Sequence, residues 1–323
     1  MRSLLDKVDV RLQFAGHETF PCRYGWLKKC YDAVVAAGSD EERIRRVFAS
    51  DHAIADFGVG KNMVASMRHW SLACGILEGN GARGRIGLLE PTDLGRLIFE
   101  VADPYLEQPD SLWLLHWRLA SAPGRSTAWY YAFNEFNEPV FNRDTLAARL
   151  EARVGELRAD GRLADSRIAR ATIARDVDCL IRTYLSRPAR GGAEDGLECP
   201  LAELGLIMPL IGGGALQFRR GAKPTLGDGV FAYALAEFWE RTLATRGSLT
   251  VETIVHEPGS PGRVFLLDEE AVVERMERIA DPTSGTLDWD ESAGLRQVVA
   301  RTPITPKMTA KLLKGALIKE AVQ

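Results

Sequence analysis

The stretch Lys61-Asn-Met-Val-Ala-Ser-Met-Arg-His-Trp-Ser-Leu-Ala-Cys-Gly-Ile-Leu77 decides the fold, because its apolar residues recur at the spacing of an α-helix. The residues on the stripe predicted to be buried are Val64, Met67, Trp70, Cys74 and Leu77. The polar residues that fall away from that stripe are Lys61, Asn62, Ser66 and His69, with Arg68 at its edge. The sequence therefore predicts an amphipathic helix with one buried face and one polar face.

The segments on either side of this helix complete a small domain. Two helices are predicted before it, at residues 24–37 and 41–55, with Asp51 as a possible capping residue at a break near Ser50. After it, a Gly-rich turn at residues 78–84 separates two short strands, and Thr92 is placed to cap a short helix. Three helices followed by a β-hairpin are typical of the winged-helix arrangement, a relative of the helix-turn-helix.

The rest of the chain predicts a mainly helical protein with small β-hairpins. Its 323 residues are enough for two or three domains at about 100–200 residues each. We predict a winged-helix domain at 1–102, a helical domain at 103–190 and an α+β domain at 191–323. In the last of these, Arg263-Val-Phe-Leu-Leu267 is the clearest strand candidate, and a helix is predicted from about Thr305.

Composition narrows the class of protein. Lys and Arg number 41 and Asp and Glu number 44, so the net charge of −3 gives no global positive field, and a nucleic acid would have to meet a local patch. No apolar run reaches the roughly 18–20 residues that span a bilayer, and the start of the chain lacks a signal-peptide pattern. The five cysteines form no Cys-x-x-Cys pair, which favours a reducing compartment. We therefore expect a cytoplasmic protein with no membrane partner.

The polar face of the third helix has the chemistry of DNA recognition. Lysine, arginine and asparagine side chains meet phosphates and base edges, and glycines before the helix expose its N–H groups to a phosphate. The predicted DNA contacts are Lys61, Asn62, Ser66, Arg68 and His69, together with Arg83 and Arg85 at the hairpin tip. A solvated helix face is the alternative. The segment is not a nucleotide-binding phosphate loop, because that motif needs Gly at 55 and Ser or Thr at 62, where this chain has Ala55 and Asn62.

Two clusters are candidates for chemistry. His17, Glu18 and Arg23 stand close together in sequence and could form an acid–base or phosphate-binding site, or a structural network in which Glu18 pairs with Arg23. Asp288, Asp290 and Glu291 bring three carboxylates into four positions, which suits Mg²⁺. The alternative for the second cluster is a loop in which Asp290 and Ser292 cap a following helix.

Two blocks resemble a known bacterial family. They are Phe14-Ala-Gly-His-Glu-Thr-Phe-Pro-Cys-Arg-Tyr-Gly-Trp-Leu-Lys-Lys29 and Asp51-His-Ala-Ile-Ala-Asp-Phe-Gly-Val-Gly-Lys-Asn-Met-Val-Ala-Ser-Met-Arg-His-Trp70. Weaker similarity extends through Gln217-Phe-Arg-Arg-Gly221 and Asp288-Trp-Asp-Glu-Ser-Ala-Gly-Leu295. The family, long described as of unknown function, includes the SspB-type DNA-nicking proteins of single-stranded DNA phosphorothioation, a defence-linked DNA modification.

This resemblance implies a function that the residues alone do not. It implies double-stranded DNA as substrate, phosphodiester cleavage assisted by Mg²⁺ or Mn²⁺, and phosphorothioation partners such as a cysteine desulfurase, an ATPase and sulfurtransferase-like subunits. The formation of a homodimer is left undecided by the sequence. The alternatives are a non-catalytic DNA-binding or assembly subunit of the same system, and a winged-helix transcription regulator, which follows from the predicted fold alone.

Overall fold

The computed structural model describes residues 3–81, 87–163, 168–185, 199–292 and 294–318. Within these ranges the protein is mainly helical, with small antiparallel sheets, as the sequence predicted. The helices are α1 (Trp26–Ala37), α2 (Glu41–Arg46), α3 (Ser50–Phe57), α4 (Lys61–Ala73), α5 (Asp93–Arg96), α6 (Pro109–Ala120), α7 (Thr127–Asn134), α8 (Arg143–Ala159), α9 (Arg170–Tyr184), α10 (Asp228–Leu243), α11 (Val251–His256), α12 (Pro261–Val264), α13 (Glu269–Glu277), α14 (Ala280–Thr283) and α15 (Pro306–Leu317). Shorter helical segments are the 3₁₀ turns Leu4–Asp6 and Pro200–Leu204 and the π-helical continuation of α5 at Leu97–Ala102.

The strands of the described residues pair in three separate sheets. They are β1 (Leu77–Gly79), β2 (Leu89–Pro91), β3 (Val140–Phe141), β4 (Ile207–Pro209), β5 (Leu216–Phe218), β6 (Ser248–Thr250), β7 (Leu287–Ser292) and β8 (Leu295–Ala300). The sheets have the orders β1-β2, β3-β5-β4 and β6-β8-β7, and all their pairs are antiparallel. Each sheet is too small to bury a core of its own, so the helices supply most of the interior.

The N-terminal part has the predicted winged-helix order. Helices α1 and α3 both pack against α4, and β1 pairs with β2 in a register that sets Leu77 opposite Pro91. The predicted second helix is divided into α2 and α3. Asp40 begins α2 by accepting hydrogen bonds from two backbone N–H groups, while Asp51, predicted as a cap, lies inside α3. Thr92 caps α5 as predicted, with its hydroxyl accepting from the backbone of Gly95 at 2.9 Å.

The middle of the chain supplies the aromatic core. Helices α6 to α9 lie within the region predicted to be helical, 103–190, and α8 is the longest helix among the described residues. Trp113, Trp117 and Trp129 from α6 and α7 are fully buried and lie in one continuous apolar cluster with Trp70 of α4 and Trp239 of α10. Because that cluster draws on all three predicted domains, their boundaries at 102/103 and 190/191 stay predictions.

Two C-terminal predictions were wrong. Arg263 and Val264 belong to α12 and the next residues form a turn, so residues 263–267 are not a strand. The buried apolar run looked like a strand because periodicity cannot distinguish a short buried strand from a short buried helix. Residues 288–292 do not cap a helix; they form most of β7, which pairs with β8. Within the described residues, no helix is long and apolar enough to cross a membrane.

Candidate functional site

Residues 14–20, here called the His17 loop, have an unusual backbone. Ala15, Glu18 and Thr19 adopt positive φ angles of 60°, 48° and 67°, and Gly16 has φ 104°. For residues with a Cβ, this region costs about 1–3 kcal/mol each and persists only where surrounding contacts enforce it. Gly16 is required, because a Cβ at that position would lie 2.6 Å from Nδ1 of His69. A strained loop of this kind is typical of a functional position.

His17 holds the loop closed through both of its ring nitrogens. Its Nδ1 accepts a hydrogen bond from the backbone N–H of Thr19 at 3.1 Å, and its Nε2 lies 3.0 Å from Oδ1 of Asp176 on α9. Because Nδ1 accepts, the ring proton is on Nε2 and is donated to Asp176. The same carboxylate accepts from the backbone N–H of Ala15 at 3.0 and 3.1 Å. His17 and Asp176 are each 2% exposed, so the pair is an internal clamp on the loop.

The loop is also tied to α4 and α9. The carbonyl of Phe20 accepts from the Trp70 indole at 2.9 Å and from the Ser66 hydroxyl at 3.3 Å. On the other side, the guanidinium of Arg182 donates to the carbonyl of Thr19, and Arg182 pairs with Asp178 on the same helix at 3.0 Å. The His17 loop therefore lies where the third helix of the winged-helix part meets the helical middle.

These contacts change the polar face predicted for α4. Ser66 is fully buried beneath the loop, and His69 is 7% exposed, so neither lies on a solvated face with Lys61 and Asn62. Burial lowers the pKa of His69 to about 3, which keeps its ring neutral. The prediction assigned too many residues to the exposed polar face of α4, because the His17 loop, which lies far upstream in sequence, covers one side of the helix.

What stays exposed is the N-terminal end of α4. Lys61 and Asn62 are exposed and Arg68 is half-buried. The turn before the helix uses Gly58 at φ 66°, and Gly60 precedes α4 without a side-chain cap, so the first N–H groups of the helix face outward. This end of the helix can accept an anion such as a phosphate. Arg83 and Arg85, predicted at the hairpin tip, lie outside the described residues.

Glu18 and Arg23 have separate environments. Glu18 is exposed at the turn of the His17 loop, whereas Arg23 is half-buried and its guanidinium lies 5.7 Å from the centre of the Trp26 ring. In the described structure these two side chains make no ion pair, so the network proposed as an alternative is not formed. Among the described residues no hydrogen-bond or ion-pair partner of Glu18 is found, and Glu18 is the exposed member of the three predicted chemical residues.

The three carboxylates predicted as metal ligands lie on β7 and do not converge on one position. Asp288 and Asp290 alternate onto one face of β7, so Glu291 faces the other way. Asp288 pairs with Arg301 at 2.5 Å, and Asp290 accepts from Gln297 at 2.9 Å and from Ser292 at 3.2 Å. These two hydrogen bonds, that from Gln297 first, lower the pKa of Asp290. Among the residues the structure describes, no group of three His, Cys, Asp or Glu side chains is placed to hold a metal ion, so the strand does not fit the predicted Mg²⁺.

Sequence reasoning missed the residues that hold the loop. Asp176 and Arg182, both on α9, were not among the predicted site residues. Asp176 lies 159 positions from its partner His17, and no local pattern connects residues at that separation. The one available signal was a carboxylate beside Val177 and Leu180 on the apolar face of α9, because a buried carboxylate requires a partner.

The chain matches known proteins over a range that includes both of the N-terminal blocks quoted above. Residues 14–315 match the protein family described as protein of unknown function, DUF4007. The chain belongs to this family. Among solved structures, a magnesium-ion-bound SspB crystal structure is 31% identical with a TM-score of 0.82, over 98% of this chain and 90% of that one. A second SspB crystal structure is 32% identical with a TM-score of 0.81, over 97% and 90%. No match was found among curated proteins.

The resemblance inferred from the two N-terminal blocks is confirmed by these matches. The DUF4007 chain is SspB-type in sequence and in fold over nearly its whole length. The first block contains the His17 loop, and the second contains most of α3 and most of α4, so the resemblance includes the site described above.

Proposed function

We propose that this chain is the DNA-binding and DNA-nicking component of a phosphorothioation system, acting beside a cysteine desulfurase, an ATPase and sulfurtransferase-like subunits. The observation that carries the proposal is the likeness to SspB over 98% of the chain at 31% identity. The geometry of the site supports it, since a strained, tightly held loop packs against α4, the helix whose exposed N-terminal end is suited to phosphate contact.

DNA contact is assigned to the N-terminal end of α4. Lys61 supplies a positive charge and Asn62 an amide that can pair with a base edge. Arg68, half-buried about two turns further along α4, adds a guanidinium. The uncapped first turn adds backbone N–H donors for a phosphate oxygen. Ser66 and His69 are left out of this interface because both are buried.

Glu18 is assigned the acid–base role. Phosphodiester hydrolysis needs a group that takes a proton from water, and an exposed carboxylate on a fixed loop can do so. His17 is a positioning residue: it fixes Glu18 by accepting from Thr19 and donating to Asp176. Arg23, half-buried beside Trp26, can add positive charge for the negatively charged transition state. Asp288, Asp290 and Glu291 do not form a metal site, so none of the roles proposed for the chain's residues depends on a metal ion. The dependence of nicking on Mg²⁺ or Mn²⁺ is a separate question for the assay.

A supercoiled-plasmid assay tests the nicking activity. The full chain is incubated with plasmid in Mg²⁺, in Mn²⁺ and with EDTA, and open circles are counted against time. Glu18→Gln is expected to slow nicking by about 100-fold or more, the usual contribution of an acid–base group, with plasmid binding unchanged. Glu270→Gln, at an exposed position on α13, is the matched control. Equal nicking rates for E18Q and E270Q would remove Glu18 from the chemistry.

A non-catalytic DNA-binding or assembly subunit is the second candidate. It is favoured by one observation: both nitrogens of His17 are occupied inside the protein, so the histidine predicted for catalysis does not reach solvent. This candidate predicts no open circles at protein concentrations that bind the plasmid. Addition of the partner subunits would then restore nicking by another component. A transcription regulator would instead show one tightly bound sequence with matched half-sites.

A further inference from the structure

The hairpin formed by β4 and β5 carries apolar side chains into solvent. Residues 204–218 contain no ionisable side chain. Ile211, in the turn, is fully exposed, and Met208 of β4 and Val140 of β3 are exposed as well. Met208 and Val140 both lie opposite Gln217 of β5, so they form one row on the same face of the sheet. Because proteins usually protect an exposed sheet edge with charges, an uncharged edge with an apolar turn indicates that a partner covers it.

The turn of this hairpin is narrow, and its base is packed into the core. Residues 212–214 are glycines, and the first and last of them have φ angles of 100° and 68°, which favour glycine. Ile211 is therefore followed by three residues without side chains. At the base, the rings of Phe141 and Phe218 are buried and stack with their centroids 4.7 Å apart. The hairpin is thus a thin projection with a firmly held base.

The base of the hairpin adjoins the segment that follows the His17 loop. The Tyr24 hydroxyl donates to the carboxylate of Glu203, in the 3₁₀ turn that leads into β4. The same turn packs against α9, the helix that carries Asp176. Ile211 is eight residues from Glu203, so the tip lies at most about 29 Å from it. One turn of DNA is about 34 Å long, so a single duplex can contact both the region of the His17 loop and the tip of the hairpin.

The charges next to the hairpin favour a polyanionic partner. Arg219 and Arg220 follow β5 directly, and both are exposed. Of the acids on either side, Glu203 accepts from Tyr24, and Asp268 accepts from the first turn of α13. An apolar tip with two exposed arginines at its base fits DNA, because arginines bind phosphates while apolar side chains enter between bases. A partner protein with an apolar surface would leave the arginines without a role.

We propose that the β4–β5 hairpin inserts Ile211 into the minor groove of DNA and partly unstacks one base step. Proteins that kink DNA use isoleucine, leucine, methionine or proline as such a wedge, and the glycines let the backbone come close to the sugars. Arg219 and Arg220 bind the flanking phosphates. The choice of DNA as partner rests on the proposed function. A kink next to the His17 loop would turn one strand towards Glu18, which suits a reaction that cuts a single strand.

The test uses the full chain and a short duplex that contains 2-aminopurine, whose fluorescence rises on unstacking, with EDTA present to keep the duplex intact. Wild type at saturation should raise the fluorescence, and dyes at the two ends should report a bend. Ile211→Ser should remove both signals at saturation and weaken binding by about tenfold, the contribution of one buried isoleucine. Leu295→Ser, at an exposed position beside the turn between β7 and β8, is the matched control and should behave like wild type.

Two further measurements keep the outcomes apart. The urea midpoint of I211S should equal that of wild type, because the side chain is fully exposed. Arg219→Gln should lower the slope of log affinity against log salt by about 0.9 while the duplex still unstacks at saturation.

The hairpin proposal fails, and the proposed function stands, if wild type binds the duplex without unstacking it or if I211S unstacks it equally. Wild type that binds no duplex overturns the proposed function and DNA as the partner of the hairpin. Sedimentation velocity checks the remaining occupant. A wild-type dimer that becomes monomeric in I211S, with unstacking unchanged, would assign the hairpin to contact between two copies of the chain and overturn the wedge.

Discussion

Asp176 shows how much one buried carboxylate can fix. It accepts from the backbone of Ala15 and from the ring of His17, and His17 in turn fixes Thr19. The side chains that determine the shape of the His17 loop therefore come from α9 as well as from the loop itself. Without the carboxylate, the positive φ angles of Ala15, Glu18 and Thr19 would no longer be enforced.

Asp176→Asn is therefore expected to destabilise the protein by about 1–3 kcal/mol, because its NH₂ group, whichever carboxylate oxygen it replaces, faces the Ala15 N–H donor, and because the neutral amide oxygen is a weaker acceptor than the carboxylate. Urea unfolding followed by tryptophan fluorescence measures the change. Asp160→Asn, at an exposed position after α8, is the control and should stay within about 0.5 kcal/mol of wild type. A D176N protein as stable as D160N would show that the clamp contributes nothing to the loop.

At the scale of elements, helices were predicted well where one apolar stripe decided them. The apolar spacing of α1 and α4 was sufficient, and α1 ends at Ala37, as predicted. The site was predicted less well, because its shape depends on pairs far apart in sequence. Ser66 has the polarity of a surface residue, but Phe20 supplies its partner from 46 positions away. Such a contact is decided by tertiary packing, which helical periodicity does not contain.

The exposed N-terminal end of α4 leads to a separate prediction about DNA binding. Lys61→Gln removes one positive charge from the first turn, so affinity for a short duplex should fall and the salt slope should decrease by about 0.9. The loss should be similar for unrelated sequences, because a lysine near a helix N-terminus contacts phosphates before bases. Lys311→Gln on α15 is a matched exposed control. If K61Q and K311Q have the same slope, DNA lies elsewhere on the protein.

For the whole molecule, the start of the chain is fastened to the helical middle. The guanidinium of Arg162 donates to the carbonyls of Leu5 and Val10 at 2.9 and 2.6 Å, and the Tyr130 hydroxyl accepts from the backbone of Leu4 at 3.2 Å. Leu4 and Leu5 are buried in the same continuous apolar cluster as α6, α7 and α10. The winged-helix part thus relies on residues beyond position 102 to cover its own interior.

Because the parts of the chain share one core, we expect the protein to unfold as a single cooperative unit and not as three domains that fold independently. The full chain should unfold in urea in a single transition, with tryptophan fluorescence and far-ultraviolet circular dichroism giving the same midpoint. A fragment of residues 1–102 should lack a cooperative transition, because it exposes the faces of α1 and α4 that the middle helices and the His17–Asp176 clamp normally cover. Size-exclusion chromatography and circular dichroism of the fragment check this. Two separated transitions in the full chain, or a fragment with its own sharp midpoint, would support the boundary at 102/103 and show that the shared core is a contact between independent domains.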